Sequence, residues 1–134
     1  MAATATQQII ADGHRNLILK YTIAGTTGDA AAVDLVDATA FNDAEGTALG
    51  ANSLTLLGID ASLTGFSCNL LWDATANVSL VEIPSDEPIK QDFSRFGGIK
   101  DNSGTGSTGK VVFTTTGYTA SGDGGHIYLK FKKT

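Results

Sequence analysis

At 134 residues the chain is one domain in length, and with 42% hydrophobic and 17% charged residues it suits a packed core rather than a disordered segment. Its net charge of -5 and sequence pI near 4.7 argue against a surface that tracks nucleic-acid phosphates. No apolar run approaches the roughly 18 residues of a membrane-spanning helix, and a lone cysteine, Cys68, allows no intramolecular disulfide.

The opening MAATATQQ has neither a basic start nor an apolar run, so a soluble protein made in the cytoplasm is expected. Thr4 to Ile10 reads as a short strand or an extended arm of the single domain 1–134. Residues 1–8 form the candidate arm, with Ala2, Thr4, Thr6, Gln7 and Gln8 as candidate partner contacts. Asp12-Gly13 signals a turn. In the run that follows, Leu17, Leu19, Tyr21 and Ile23 alternate with Ile18, Lys20 and Thr22, the period of a half-buried strand. A second short strand is expected around Val33 to Val36, although its alanines also suit a helix.

Thr39 to Asn52 is polar and reads as a long loop, with room for one helical turn at Ala40 to Glu45. SLTLLGIDAS and GFSCNLLWDA are two strands; in the second, Phe66, Cys68, Leu70 and Trp72 share a face. NVSLVEI is a strand closed by Pro84, SDEPIKQ a polar connection, and DFSRFGGI an irregular bend marked by Gly97-Gly98. KVVFTTTGYT is β-branched, and HIYLKFKKT alternates Ile127, Leu129 and Phe131 inward with His126, Tyr128, Lys130 and Lys132 outward. The lysines of that last run read as protection of a solvated edge strand. About eight strands, little helix and short turn spacing predict an all-β antiparallel sandwich or jelly-roll-like barrel. Its core would be built on Leu17, Leu19, Phe66, Leu70, Trp72, Phe96, Phe113 and Leu129.

Chemical motifs are scarce. SGTGSTGKVV, Ser103 to Val112, partly matches both a phosphate loop and a dinucleotide fingerprint. Yet Val111 stands where a magnesium-binding hydroxyl is needed, and a β pattern follows where a helix N-terminus is needed. A flexible connection is expected there instead. His14 and His126 lack partners at metal-ligand spacing, and Cys68 shares its parity with core residues. FNDAEG, Phe41 to Gly46, lacks the acidic ladder of a calcium loop. No cofactor, metal site or catalytic group is expected.

The pieces LLWDAT (Leu70 to Thr75), DFSRFGGI (Asp92 to Ile99) and the run from Asn102 through TGKVVFTTTGYT to IYLKFKK together resemble a group of small structural proteins of tailed bacteriophages. The match covers roughly residues 60–134. The resemblance implies a non-enzymatic decoration or cement protein on the outer face of a capsid, with the major capsid protein as partner. Because capsid lattices have local symmetry, a homo-oligomer is expected, a trimer among the options, while the acidic charge and the lack of a long apolar run argue for no nucleic-acid or membrane partner. An alternative is a receptor- or glycan-binding module of a tail or head fibre. Tyr118, Tyr128 and His126 beside the SGDGG turn would then form its surface. A hydrolase with acids assembled in space is a third class.

Overall fold

The computed structural model describes residues 3–43, 45–50, 53–101, 104–120 and 122–133. Among them are ten strands and no α-helix: β1 Thr4–Asp12, β2 Asn16–Ala24, β3 Val33–Asp37, β4 Leu54–Thr64, β5 Ser67–Trp72, β6 Val78–Ile83, β7 Ile89–Asp92, β8 Ile99–Lys100, β9 Lys110–Thr116 and β10 Gly124–Lys133. They form two antiparallel sheets. Sheet A runs β1-β2-β10-β4-β7, with β8 also paired to β4; sheet B runs β3-β9-β5-β6. Without β1 and β8, the orders β2-β10-β4-β7 and β3-β9-β5-β6 are the wound double-Greek-key arrangement of an eight-strand jelly roll. The sandwich is open, and the expected all-β architecture is the one found.

The inner faces follow from alternation. Leu17, Leu19, Tyr21 and Ile23 of β2 and Ile127, Leu129 and Phe131 of β10 meet Cys68, Leu70 and Trp72 of β5 and Val111 and Phe113 of β9 in one buried cluster. At roughly 1.5–3 kcal/mol for each large side chain, this cluster is the main driving force of the fold. Seven of the eight predicted core positions are fully covered. Strand β4 changes phase: Leu54 and Leu56 face inward, then Ile59, Ala61 and Leu63 do. A register shift opposite Lys130/Phe131 allows this, since one extra residue turns all later side chains to the other face.

Three expectations are corrected. Phe96 is not core: it is 69% exposed at the end of a 3-10 turn, Ser94–Phe96, while the neighbouring Phe93 packs against the cluster instead. Gly98 lies so close that a Cβ would come within 2.6 Å of Thr55 Cγ2 and 2.8 Å of Leu56 O. The strand carrying the C-terminal lysines is no edge strand, because β10 pairs with β2 on one side and β4 on the other. Tyr118 is buried rather than exposed; its hydroxyl donates to Asp123 O at 2.7 Å, and its ring meets Phe66 edge-on at 4.9 Å.

Elsewhere the differences are smaller. Val33–Asp37 is a strand, not a helix, and the helical turn of the following segment falls earlier, at Ala38–Ala40, where Asp37 caps Thr39 N. Part of SDEPIKQ becomes β7.

Candidate interaction surfaces

The two open edges of each sheet differ in chemistry. β7 has four residues, carries Lys90 and Asp92, and follows Pro88. β3 carries Asp34 and Asp37 and a register shift between Asp34 and Val36. β6 carries Glu82, has a shift of its own, and is followed by Pro84. Short length, charge, irregular register and proline all blunt an edge against pairing. β1 has nine residues, and from Thr4 to Ala11 it holds no charge and no proline. Its register with β2 is regular from Thr4 to Ile9 and shifts only between Ile9 and Ala11. Ile9 and Ile10 are 50% and 49% exposed. This edge offers free backbone donors and acceptors with little to repel a partner.

The candidate contacts Thr4, Thr6, Gln7 and Gln8 all lie on this exposed strand; Ala2 lies outside the described residues. They are paired with β2 rather than forming a detached arm. Ala5, Gln7 and Ile9 stand opposite Ile23, Tyr21 and Leu19, so they share the inner face. Tyr21, whose hydroxyl pKa burial pushes up, donates to Gln7 Oε1 at 3.0 Å.

The outer face of sheet A is the second surface. Cross-strand pairing sets Lys20, Tyr128, Asp60 and Lys90 in one row and Ile18, Lys130, Gly58 and Asp92 in the next. Gly58 has no side chain, so the second row dips, and the groove there encloses about 250 Å³ beside Ile18, Leu57 and Tyr128. Lys20 Nζ sits 5.7 Å from the Tyr128 ring centre, and His126 meets that ring at 5.4 Å. Asp92 is held below the usual carboxylate range, first by the Ser94 hydroxyl, then by Ser94 N–H and by Lys130 and Arg95. At one end of the groove's sheet, the Ser94–Phe96 turn projects Phe96 and Arg95. Asp92 accepts from the N–H and the hydroxyl of Ser94 at its start, and Gly98 N donates to Phe93 O at 2.8 Å.

The glycine motif is held rather than loose. Ser107 Oγ donates to Asp101, Thr108 Oγ1 to Asp73, and a Cβ at Gly106 would come within 2.1 Å of Thr75 Oγ1. Strand β9 follows it directly. Lys110 pairs with Asp34 at 3.2 Å, and Asp34, Asp37 and Asp73 raise its pKa. That acidic surround is the reverse of a phosphate cradle.

Cys68 is core, and burial pushes its thiol up to about 12. Asp29 is held low by Tyr118 N–H first, with help from Thr115 and Gly117, so it braces a loop. Asp43 accepts from Glu45 N and Thr47 N within its own turn. Among the described residues no group of three His, Cys, Asp or Glu side chains is placed to hold a metal ion, and no helix is long and apolar enough to cross a membrane.

Residue pattern offers the β1 residues as contacts of an arm, not as the open edge of a paired strand, and it does not offer the Phe96 turn as a surface at all. An uncharged strand shows its character only once its neighbours are known, and an aromatic beside two glycines reads as core. No protein-family model matches the chain, and no curated protein matches it.

Proposed function

We propose that this chain is a non-enzymatic structural protein of a bacteriophage virion that binds and stabilises the outer face of the capsid, with the major capsid protein as its partner. It would be made in the cytoplasm of the host bacterium and end on the particle surface. The observation that carries this reading is the Phe96 turn. The motif DFSRFGGI, one of the three that bear the resemblance to phage structural proteins, forms a braced turn that exposes Phe96 beside Arg95. Phenylalanine and arginine are both enriched at the buried centre of protein interfaces relative to the rest of the surface. Jelly rolls also recur in viral capsids, which supports the reading by analogy of fold. Mass spectrometry of purified virions of the phage that encodes the chain should detect it. Added back to particles lacking it, the protein should co-sediment, and Phe96→Ala should lose at least tenfold in affinity with unchanged melting. Absence from virions, or undiminished binding by Phe96→Ala, would defeat the proposal.

A second reading, a receptor- or glycan-binding module of a tail or head fibre, is favoured by the Gly58 groove with Tyr128 at its side. A flat aromatic flanked by Asp60 and Lys20 could take a sugar face. Glycan-array binding lost on Tyr128→Ala, without affinity for capsids, would select it.

A further inference from the structure

The β1 edge calls for an occupant, and its residues favour a second copy of this chain. We infer that two copies join edge to edge through β1, antiparallel about a two-fold axis at Gln7, to make one continuous sheet from both sheets A. Directly opposed residues in an antiparallel pair point to the same face, so a two-fold in the sheet must centre on a residue. Centring on Gln7 sets Ala5 against Ile9 of the other copy on the inner face, and Thr6 against Gln8 on the outer face. Both matches are complementary: a small residue meets a half-exposed large one, and a polar residue meets a polar one.

On the axis itself the two Gln7 side chains meet. Each Oε1 accepts from Tyr21 and keeps a second lone pair, so the amide N–H of one Gln7 can donate to the Oε1 of the other. The pairing from Ala5 to Ile9 lies wholly within the regular part of β1, before the shift at Ile10. No charge stands between Thr4 and Ala11, so the two-fold opposes no like charges. The one charge of the strand, Asp12, is paired with Lys133 of its own copy. An isologous contact needs this self-complementarity over a regular run; the charges of β3 and β6 are all acidic and each has a register shift, and β7, although it pairs Lys90 with Asp92 about Gln91, is only four residues long. The inference stands whether or not the protein binds a capsid.

Charge-swapped variants test both the contact and its register. The wild-type protein should sediment at twice the 13.8 kDa chain mass at tens of micromolar. Thr6→Lys/Gln8→Lys and Thr6→Glu/Gln8→Glu should each sediment as monomers with folded circular-dichroism spectra. An equimolar mixture of the two should return to the dimer mass, because each lysine then faces a glutamate. A wild-type monomer or trimer, a Lys/Lys variant that still dimerises, or a mixture that stays monomeric would overturn the inference.

Discussion

Replacing Lys133 with methionine isolates one buried ammonium. The Lys133 side chain is only 4% exposed although it lies in the last turn of alternation of β10. Its Nζ donates to the Asp12 carboxylate and, at 2.8 Å each, to Gly13 O and Asn42 O. Three segments distant in sequence are thus tied to one atom. Methionine keeps most of the stem's packing, so the change reports the loss of the charge. Each of the two carbonyls loses a hydrogen bond from a charged donor, about 1.5–3 kcal/mol, less what water restores at the exposed Gly13 and Asn42. The Asp12 side chain, 38% exposed, recovers water and offsets part of this. A net loss of about 2–4 kcal/mol follows, toward the lower end of what breaking a buried pair costs. At about 3–4 °C per kcal/mol for a chain of this length, the melting temperature should fall by roughly 10 °C. Thermal melts at pH 7 by circular dichroism would read it, and added salt should change the difference little because the pair is screened weakly. Lys132→Met, on the exposed side of the same strand, should cost under about 0.5 kcal/mol. A Lys133→Met melt indistinguishable from that of Lys132→Met would refute the reasoning.

Three further outcomes are expected. Asp29, Asp37, Asp86 and Asp92 all have folded-state pKa values below the free value of 3.8. Their contribution is therefore complete above that value and is lost as pH falls through the lowered pKa values. Melting temperature should be flat from pH 7 to about 5 and drop at lower pH, and Asp29→Asn should shallow the drop, as an acid titration of unfolding would show. The Trp72 ring N–H is buried without a partner, so Trp72→Phe removes an unmet donor along with some volume. Chemical denaturation should show it costing less than about 1.5 kcal/mol, well under the 3–5 of a truncation to alanine. Gly98 has φ +90 and no room for a side chain, so Gly98→Ala should destabilise by about 2–4 kcal/mol, visible as a lower denaturation midpoint.

The faces of strands were legible in the sequence, but their neighbours were not. Period-two alternation placed Leu17, Leu19, Leu70, Trp72 and Leu129 inside, and burial agrees. The same alternation in β10 looked like a protected edge, because outward lysines look alike on an edge and on the exposed face of a central strand. Which of these holds is decided by pairing with residues 16–23 and 54–64, over a hundred residues and some seventy residues away in the chain. The phase change in β4 was hidden for a related reason. LTLLGI contains inward residues of both parities, and only the shift opposite Lys130/Phe131 assigns them. Phe96 reads as core because hydrophobicity does not say which of two phenylalanines three residues apart is buried, and Phe93 is the one that packs against the cluster. The acidic setting of Lys110 depends on Asp34 across the β3–β9 pair, so spacing around the glycine motif could not reveal it.

The central position of β10 also has a consequence for biosynthesis. Sheet A has its two flanking halves, β1-β2 and β4-β7, written long before the strand that joins them. A nascent chain that has not yet reached residue 124 holds those halves with facing, unpaired edges. Closure must then bring together strands far apart in sequence, which makes it slow and favours stray pairing while it waits. Stable folding is thus deferred until β10 leaves the ribosome, and every chain stopped short of it enters the cell as an open, adhesive intermediate rather than as a smaller version of the same protein.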